Sequence, residues 1–359
     1  MTLALNGYSY SKGAARGRTV ILTVGKDCES TAKAAKPDAR PALLENPMRL
    51  AALLCLVSLA FVPHPLSADP IRITHRFGET RIENTPQRIV SVGYHEQDFL
   101  YAMGIAPVGV HEWFGGHPYA TWSWAEKARE TLGAKPDVQR GFEIDLEWVW
   151  QQKPDLIVAT FAPLDRQTYD KLSQIAPVVG PPLGYKAWTA PWQAEMRLIA
   201  QATGRKDHGD AVIAKVEAEL TNLAAAYPEL TDVEVAVAYV SGTDLIGYSA
   251  SDGSNRLMAS LSLKIPADYD RLAAGSGNFS VSLERLDLFD KDVALWLADE
   301  NGRALIEGLP AYRESALSQN DRSVWANTEE IGAMSFQSPL SILWVAERLM
   351  PRLAKAVNN

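Results

Sequence analysis

Two glutamates, Glu147 and Glu284, stand in the same local pattern 137 residues apart. Each follows a leucine, Leu146 or Leu283, and each is followed after seven residues by an aspartate, Asp155 or Asp292. Four apolar residues come next, Leu156–Ala159 in one copy and Val293–Trp296 in the other. A carboxylate is favoured at a helix N-terminus because it faces the unsatisfied N–H groups there. An apolar run after a Lys-Pro-Asp or Lys-Asp turn reads as a strand buried on both faces, as in a parallel sheet. The repeat predicts two similar α/β lobes, each with an exposed acidic residue at an equivalent place.

Other chemistry-bearing residues cluster after the predicted strands. His95, His111 and His117, with Glu96 and Glu112 beside the first two, are metal-competent types. Adjacent residues seldom both ligate one ion, however, and no HxxxH or HxH spacing is present, so no metal site is expected. His75 and His208 read as surface residues. Among aromatics, Tyr94 follows the turn at Gly93, Trp113 and Phe114 follow the second strand, Phe161 the third and Trp188 the fourth. Tyr248 and Arg256 flank the loop Ser249–Asn255 further on. Large aromatic side chains in surface loops lose apolar burial unless they pack locally or meet a ligand. Trp122 and Trp124 suit local packing as well as ligand contact, whereas Tyr94, Trp113, Phe161, Trp188, Tyr248 and Arg256 are the candidate ligand-binding residues. Arg256 has the choice of an anionic ligand group or a surface ion pair. No GxSxG, Walker loop or post-strand GxGxxG occurs, which leaves only a secreted hydrolase without a motif as a remote enzymatic alternative.

The elements that position these residues alternate. Arg88–Val92, Ala106–Val110, Asp155–Thr160 and Ala176–Val179 read as strands, and Glu96–Met103 and Tyr169–Ile175 as helices. Such alternation implies βαβ units and a parallel sheet, whose ligands bind outside the carboxyl ends of the strands. The loops at 93–96, 111–124 and 161–165 are then the ones to watch. Val212, Ile213, Val216, Leu220 and Leu223 recur at helical spacing between Asp207 and Tyr227, before Pro228. That helix would be about 30 Å long, the width of a small domain. A second α/β region follows with strands at Val233–Val240 and Val293–Trp296, and an amphipathic helix from Pro339 to Ala356 closes the chain.

The 359 residues allow two domains, and 47% hydrophobic with 22% charged residues suits a large buried core. From Met48 the chain reads as a secretory signal peptide: Arg49, the apolar stretch Ala51–Val62, and a cleavage site after Ala68. About a dozen apolar residues are too few to span a bilayer. Residues 1–47 read as a non-native upstream extension and 48–68 as the signal peptide. Cys28 and Cys55 both lie in these segments, so the exported chain is expected to lack cysteine. Leu54 before Cys55 departs from the small residue that lipidation requires, and a soluble, non-lipidated periplasmic protein is expected. Removing 1–68 leaves 27 Lys/Arg against 39 Asp/Glu, a net charge of −12. With no basic cluster, nucleic acid is excluded as a partner.

The ordered set of segments resembles a known family. It runs through Arg88–Gly93, Leu100, Gly104–Val110, Leu146-Glu147, Lys153–Val158, Ile175–Val179, Thr203–Arg205, Ser282–Leu286, Asp292 and Ser338–Ser341. The chain is similar, over residues 70–357, to periplasmic substrate-binding proteins of ABC importers for iron–siderophores, haem and cobalamin. The aromatic segment Glu112–Trp124 resembles the siderophore branch. The resemblance implies a class III fold: a lobe at 69–206, one long bridging helix at 207–228 and a second lobe at 229–359. It implies a monomer that captures a ferric siderophore in the cleft and delivers it to inner-membrane permease subunits, without catalysis. It also implies no cofactor, since the iron arrives inside the chelator. Glu147 and Glu284 match the positions that dock each lobe onto permease arginines. Haem or cobalamin is the alternative ligand, and haem would call on Tyr94 or His95. Aromatic wealth and scarce cations favour hydroxamates over catecholates.

Overall fold

A computed structural model describes residues 69–186 and 188–359. The expected extension and signal peptide at 1–68 lie outside the described residues. The ordered chain begins with an antiparallel hairpin of β1 (Ile71–His75) and β2 (Gly78–Ile82). Ile73, His75, Thr80 and Ile82 form its buried face, a period of two. His75 is therefore not a surface residue. It is buried, and its Nε2 lies 2.8 Å from the Thr80 hydroxyl, which in turn donates to the Val178 carbonyl. Each buried polar group finds a partner in the hairpin.

The first lobe holds β3 (Ile89–Ser91), β4 (Gly109–His111), β5 (Asp137–Gln139), β6 (Leu156–Val158) and β7 (Val178–Val179). They pair in parallel in the order β5-β4-β3-β6-β7. Strands β3, β4, β6 and β7 are wholly buried, as continuous apolar runs demand of a covered sheet. The second lobe has β8 (Val235–Ser241), β9 (Asp244–Tyr248), β10 (Asn278–Ser282), β11 (Val293–Trp296) and β12 (Ser323–Trp325), ordered β10-β9-β8-β11-β12. Here only β8, β11 and β12 are parallel, while β9 and β10 fold back antiparallel. The two-residue turn Gly242-Thr243 allows this hairpin, with Gly242 at φ +62°.

The sequence repeat has a structural counterpart. Asp155 accepts the backbone N–H groups of Gln87 and Arg88 at 2.7 and 2.8 Å, fixing the start of β3 beside β6. Asp292 accepts that of Glu234 at 2.9 Å and does the same for β8 beside β11.

Between the sheets runs the 20-residue helix Lys206–Ala225, close to the expected span. It crosses helix Trp192–Ala202 at Gly209, where a Cβ would lie 2.3 Å from the Ala200 Cβ. The closing helix Pro339–Val357 starts from a reciprocal cap between Ser338 and Ser341. It packs on the bridging helix, on helices Glu96–Ala102 and Ser123–Thr131 of the first lobe, and on β11 and β12 of the second. One apolar cluster therefore joins Ile89 and Leu156 of one sheet to Val235 and Leu295 of the other, through Ile213, Val216, Val345 and Leu349.

Trp122 and Trp124 belong to this core. They stack on each other at 5.0 Å, and Phe336, from the far end of the chain, meets their rings edge-on at 6.0 and 5.3 Å. Trp122→Ala should cost about 3–5 kcal/mol, the usual loss on truncating a buried tryptophan. Urea unfolding followed by far-UV circular dichroism measures this. A loss below about 1 kcal/mol would mean that Trp122 does not support the core that the lobes share.

Candidate functional site

In the first sheet the chain winds outward from β3 through β4 to β5, then returns to the other side of β3 for β6 and β7. The order reverses between β3 and β6, and a crevice opens where adjacent loops diverge at such a switch point. The loop after β3 carries Tyr94 and His95, and the loop after β6 carries Thr160 and Phe161. Four of the six candidate ligand residues meet there. Tyr94 is stacked between Trp113 at 5.5 Å and Trp188 at 5.9 Å, within 12° and 10° of parallel. Phe161 stands edge-on to Trp188 at 4.7 Å and to Trp113 at 5.7 Å. Trp188 holds φ +68°, a left-handed conformation costly for a bulky residue and typical of functional loops.

Tyr94 is held from below. Its hydroxyl donates to the Phe142 carbonyl at 2.9 Å, and burial, with the charge of Glu96, raises the phenol above its ordinary pKa. The ring of Phe142 lies 5.9 Å from Tyr94 and is 62% exposed, while Leu183 and Tyr185 are exposed in the loop that leads to Trp188. Phe142 escaped the sequence reading because β5, the short strand it follows, was not read as a strand, while Leu183 and Tyr185 share the loop of Trp188.

Beneath the rings is a buried polar cluster. Glu96 folds back over the turn so closely that a Cβ on Gly93 would fall 1.9 Å from its Oε1. Its carboxylate accepts the Phe161 N–H at 2.8 Å and the hydroxyls of Ser91 and Thr160 at 3.2 and 3.3 Å, and burial raises its pKa. The Thr160 hydroxyl also lies 2.9 Å from Glu195, which faces His95 Nε2 at 3.0 Å. Asp98 accepts from Trp124 Nε1 at 2.7 Å and from the Ser338 hydroxyl at 2.6 Å. Burial lifts Asp98 to about 6 against the pull of those two donors. His111 is fixed by the Val92 and Gly141 carbonyls and the Gln139 amide. His117 lies 4.0 Å from Glu329.

In the second lobe it is the segment after the antiparallel β9 that reaches the first lobe. Arg256 donates to the Thr189 and Ala190 carbonyls across the gap at 3.2 and 3.1 Å, and to the Ser251 carbonyl. Lys186 donates to the Gly275 carbonyl. Arg256 thus links the two sides through backbone carbonyls. Tyr248 lies apart from the aromatic wall, 5.9 Å from Tyr239, with its pKa raised by burial and by Asp252.

Glu147 and Glu284 are exposed at the second residue of their short helices. Neither is the helix cap. Asp145 accepts the N–H groups of Glu147 and Trp148, and Ser282 accepts that of Glu284.

The sequence profile of the periplasmic binding protein family matches residues 89–314. A probable siderophore-binding lipoprotein of Bacillus subtilis, YfiY, is 28% identical over 50% of this chain and 53% of its own length. The ferric-anguibactin-binding protein FatB of Vibrio anguillarum is 33% identical over 34% of this chain and 35% of its own. The chain spans about half the length, or less, of these curated relatives. A periplasmic solute binding protein of Mycobacterium smegmatis superposes with a TM-score of 0.72 at 30% identity, covering 80% of this chain and 99% of that one. By sequence profile and by fold, the chain belongs to the periplasmic binding protein family.

Proposed function

We propose that this protein captures a ferric siderophore in the periplasm and hands it to an inner-membrane ABC permease, without chemistry of its own. The observation that carries the reading is the aromatic wall of Tyr94, Trp113, Phe161 and Trp188 at the switch point of the first sheet. Wide apolar faces with few polar groups suit a large, preformed chelate whose metal is already coordinated. The curated relatives, one named for siderophore and one for ferric-anguibactin binding, point the same way. The cations beside the Trp188 loop, Arg256 and Lys186, are occupied by backbone carbonyls, and Arg140 near Trp113 by Glu112, which favours hydroxamates over strongly anionic catecholates. Haem is disfavoured because both suspected ligands are engaged: Tyr94 by Phe142, and His95 by Glu195 and the Phe336 carbonyl. No described helix is long and apolar enough to cross a membrane.

A permease-docking role for Glu147 and Glu284 is supported by their exposure and by the caps at Asp145 and Ser282, which leave neither glutamate the task of capping its helix. Two carboxylates on matching elements suit a partner that presents arginine to each lobe.

Tryptophan-fluorescence titration against ferrichrome, ferrioxamine B, a ferric catecholate, haem and cobalamin tests the ligand class. Tyr94→Ala and Trp113→Ala should each lose about 1–3 kcal/mol, roughly ten- to hundred-fold in affinity. Unchanged affinity in both folded variants would remove the aromatic wall from the site. Glu147→Lys and Glu284→Lys should bind ligand normally yet impair iron-limited growth on the cognate siderophore, the double variant most of all, because like charges at an interface cost several kcal/mol. Normal growth of the double variant would refute docking through these residues.

A further inference from the structure

His95 sits where three segments meet. On one side its Nε2 lies 3.0 Å from Glu195 of helix Trp192–Ala202, and on the other its Nδ1 bonds the backbone carbonyl of Phe336, the last residue of helix Thr328–Phe336 beyond β12. The side chain is 2% exposed, so water cannot replace either partner. A carbonyl only accepts, an ionised carboxylate only accepts, and a neutral imidazole carries one N–H. Both bonds form together on a ring that holds two protons. A neutral ring fits only if Glu195 takes the proton, which forfeits the attraction between His95 and its carboxylates.

The charged groups around the ring favour the first arrangement. Glu96 on its own helix and Glu195 from the neighbouring helix are both buried, and the Thr160 hydroxyl, after β6, lies between them, with its one proton nearer Glu195 at 2.9 Å than Glu96 at 3.3 Å. Asp98, also on the helix of Glu96, is held by Ser338 and Trp124. Arg256 reaches the field of Glu195 from the second lobe, and the rings of Phe99 and Phe161 close the sides at 5.1 and 4.2 Å. Burial alone would strip the His95 proton, yet Glu195, Glu96 and the Phe336 carbonyl together lift its pKa to about 9.

We propose that His95 is a positioning residue, a buried imidazolium pin that fastens the aromatic wall of the first lobe to the C-terminal segment of the second and so sets the shape of the cleft. Two contacts make the coupling direct. Tyr94, next in the chain, forms the middle of the aromatic stack, and Phe161 lies against the His95 ring. On the other side Phe336, whose carbonyl takes the bond, packs its ring against Trp113, Phe114, Trp122 and Trp124. Loss of the proton turns one of the two bonds into a lone pair facing an acceptor. The lobes then lose one of the polar ties beside the wall, a tie that holds them in register together with those of Asp98 and Arg256. Because the folded pKa lies above the ordinary 6.5, the stabilisation is complete below about 6.5 and is lost as pH rises through about 9. The pin does not depend on which ligand fills the cleft.

Ring-nitrogen NMR of the purified protein, uniformly labelled with 15N on histidine and assigned with His95→Gln, reads the proton directly and needs no ligand. Both nitrogens of His95 should show imidazolium shifts at pH 7.5 and titrate near pH 9. A neutral-tautomer pattern at pH 7.5 would overturn the proposal. Ferrichrome titration then reads the consequence. Wild-type affinity should weaken toward roughly tenfold one pH unit above the titration, as a single proton dictates, while His95→Gln should bind more weakly at pH 7 and show no such dependence. Intact binding with a flat wild-type profile from pH 7 to 10 would overturn the positioning role. Absence of ferrichrome binding at every pH bears on the siderophore reading alone, and the NMR result then decides for the pin.

Discussion

Two helices have to be buried against two sheets at once, and that constraint shapes the rest of the molecule. The bridging helix Lys206–Ala225 presents Ile213, Val216 and Leu220 to the same cluster that receives Val345, Leu349 and Leu353 of the closing helix. Apolar surface withdrawn from water is worth roughly 25 cal/mol per Å², so swinging one lobe away from the other exposes surface along the whole seam. Hinge motion of the kind that a single flexible linker permits is costly in such an arrangement. Recognition must then be achieved mostly by side chains at the cleft.

Polar groups threaded through this seam align it. Apolar packing is non-directional, and two smooth surfaces sharing a core can slide by a residue at small cost. The contacts from Asp98 to Ser338 and from Arg256 to Thr189 and Ala190 are directional, and a shift of the lobes would leave the buried Asp98 and Ser338 without each other. The same segment, Phe336 to Ser338, supplies a ring to the core and a hydroxyl to the polar set. Gln337 between them turns the chain at φ +50°, which ends one helix and lets Ser338 cap the next.

Much of this architecture was legible in the sequence. The repeated spacing from Glu147 to Asp155 and from Glu284 to Asp292 recurs because each aspartate pins the start of a neighbouring strand, a local requirement that leaves a local trace. The bridging helix was visible because one face is buried along its length. Tyr94, Trp113, Phe161 and Trp188 come together because each follows a strand, and the strands end at one edge. The antiparallel β9 and β10 were not legible. Asn278–Ser282 alternates polar and apolar residues, but the partners of both strands are set by a turn, and α/β alternation elsewhere in the chain suggested parallel pairing. His75 misled for the opposite reason. A histidine carries no periodic signal, and its burial is decided by partners such as Thr80, which itself bonds the Val178 carbonyl 98 residues further on.

The aromatic faces of the proposed ligand wall touch one another. Trp113, Tyr94 and Trp188 make a short column of stacked rings, with Phe161 against its side. A ligand entering this column must replace ring-to-ring contact with contact of its own, so the energy it gains is a difference between two packings. Small apolar solutes, which cover only part of one ring, cannot make good what they displace. Only a guest broad enough to engage several rings together can hold the column open.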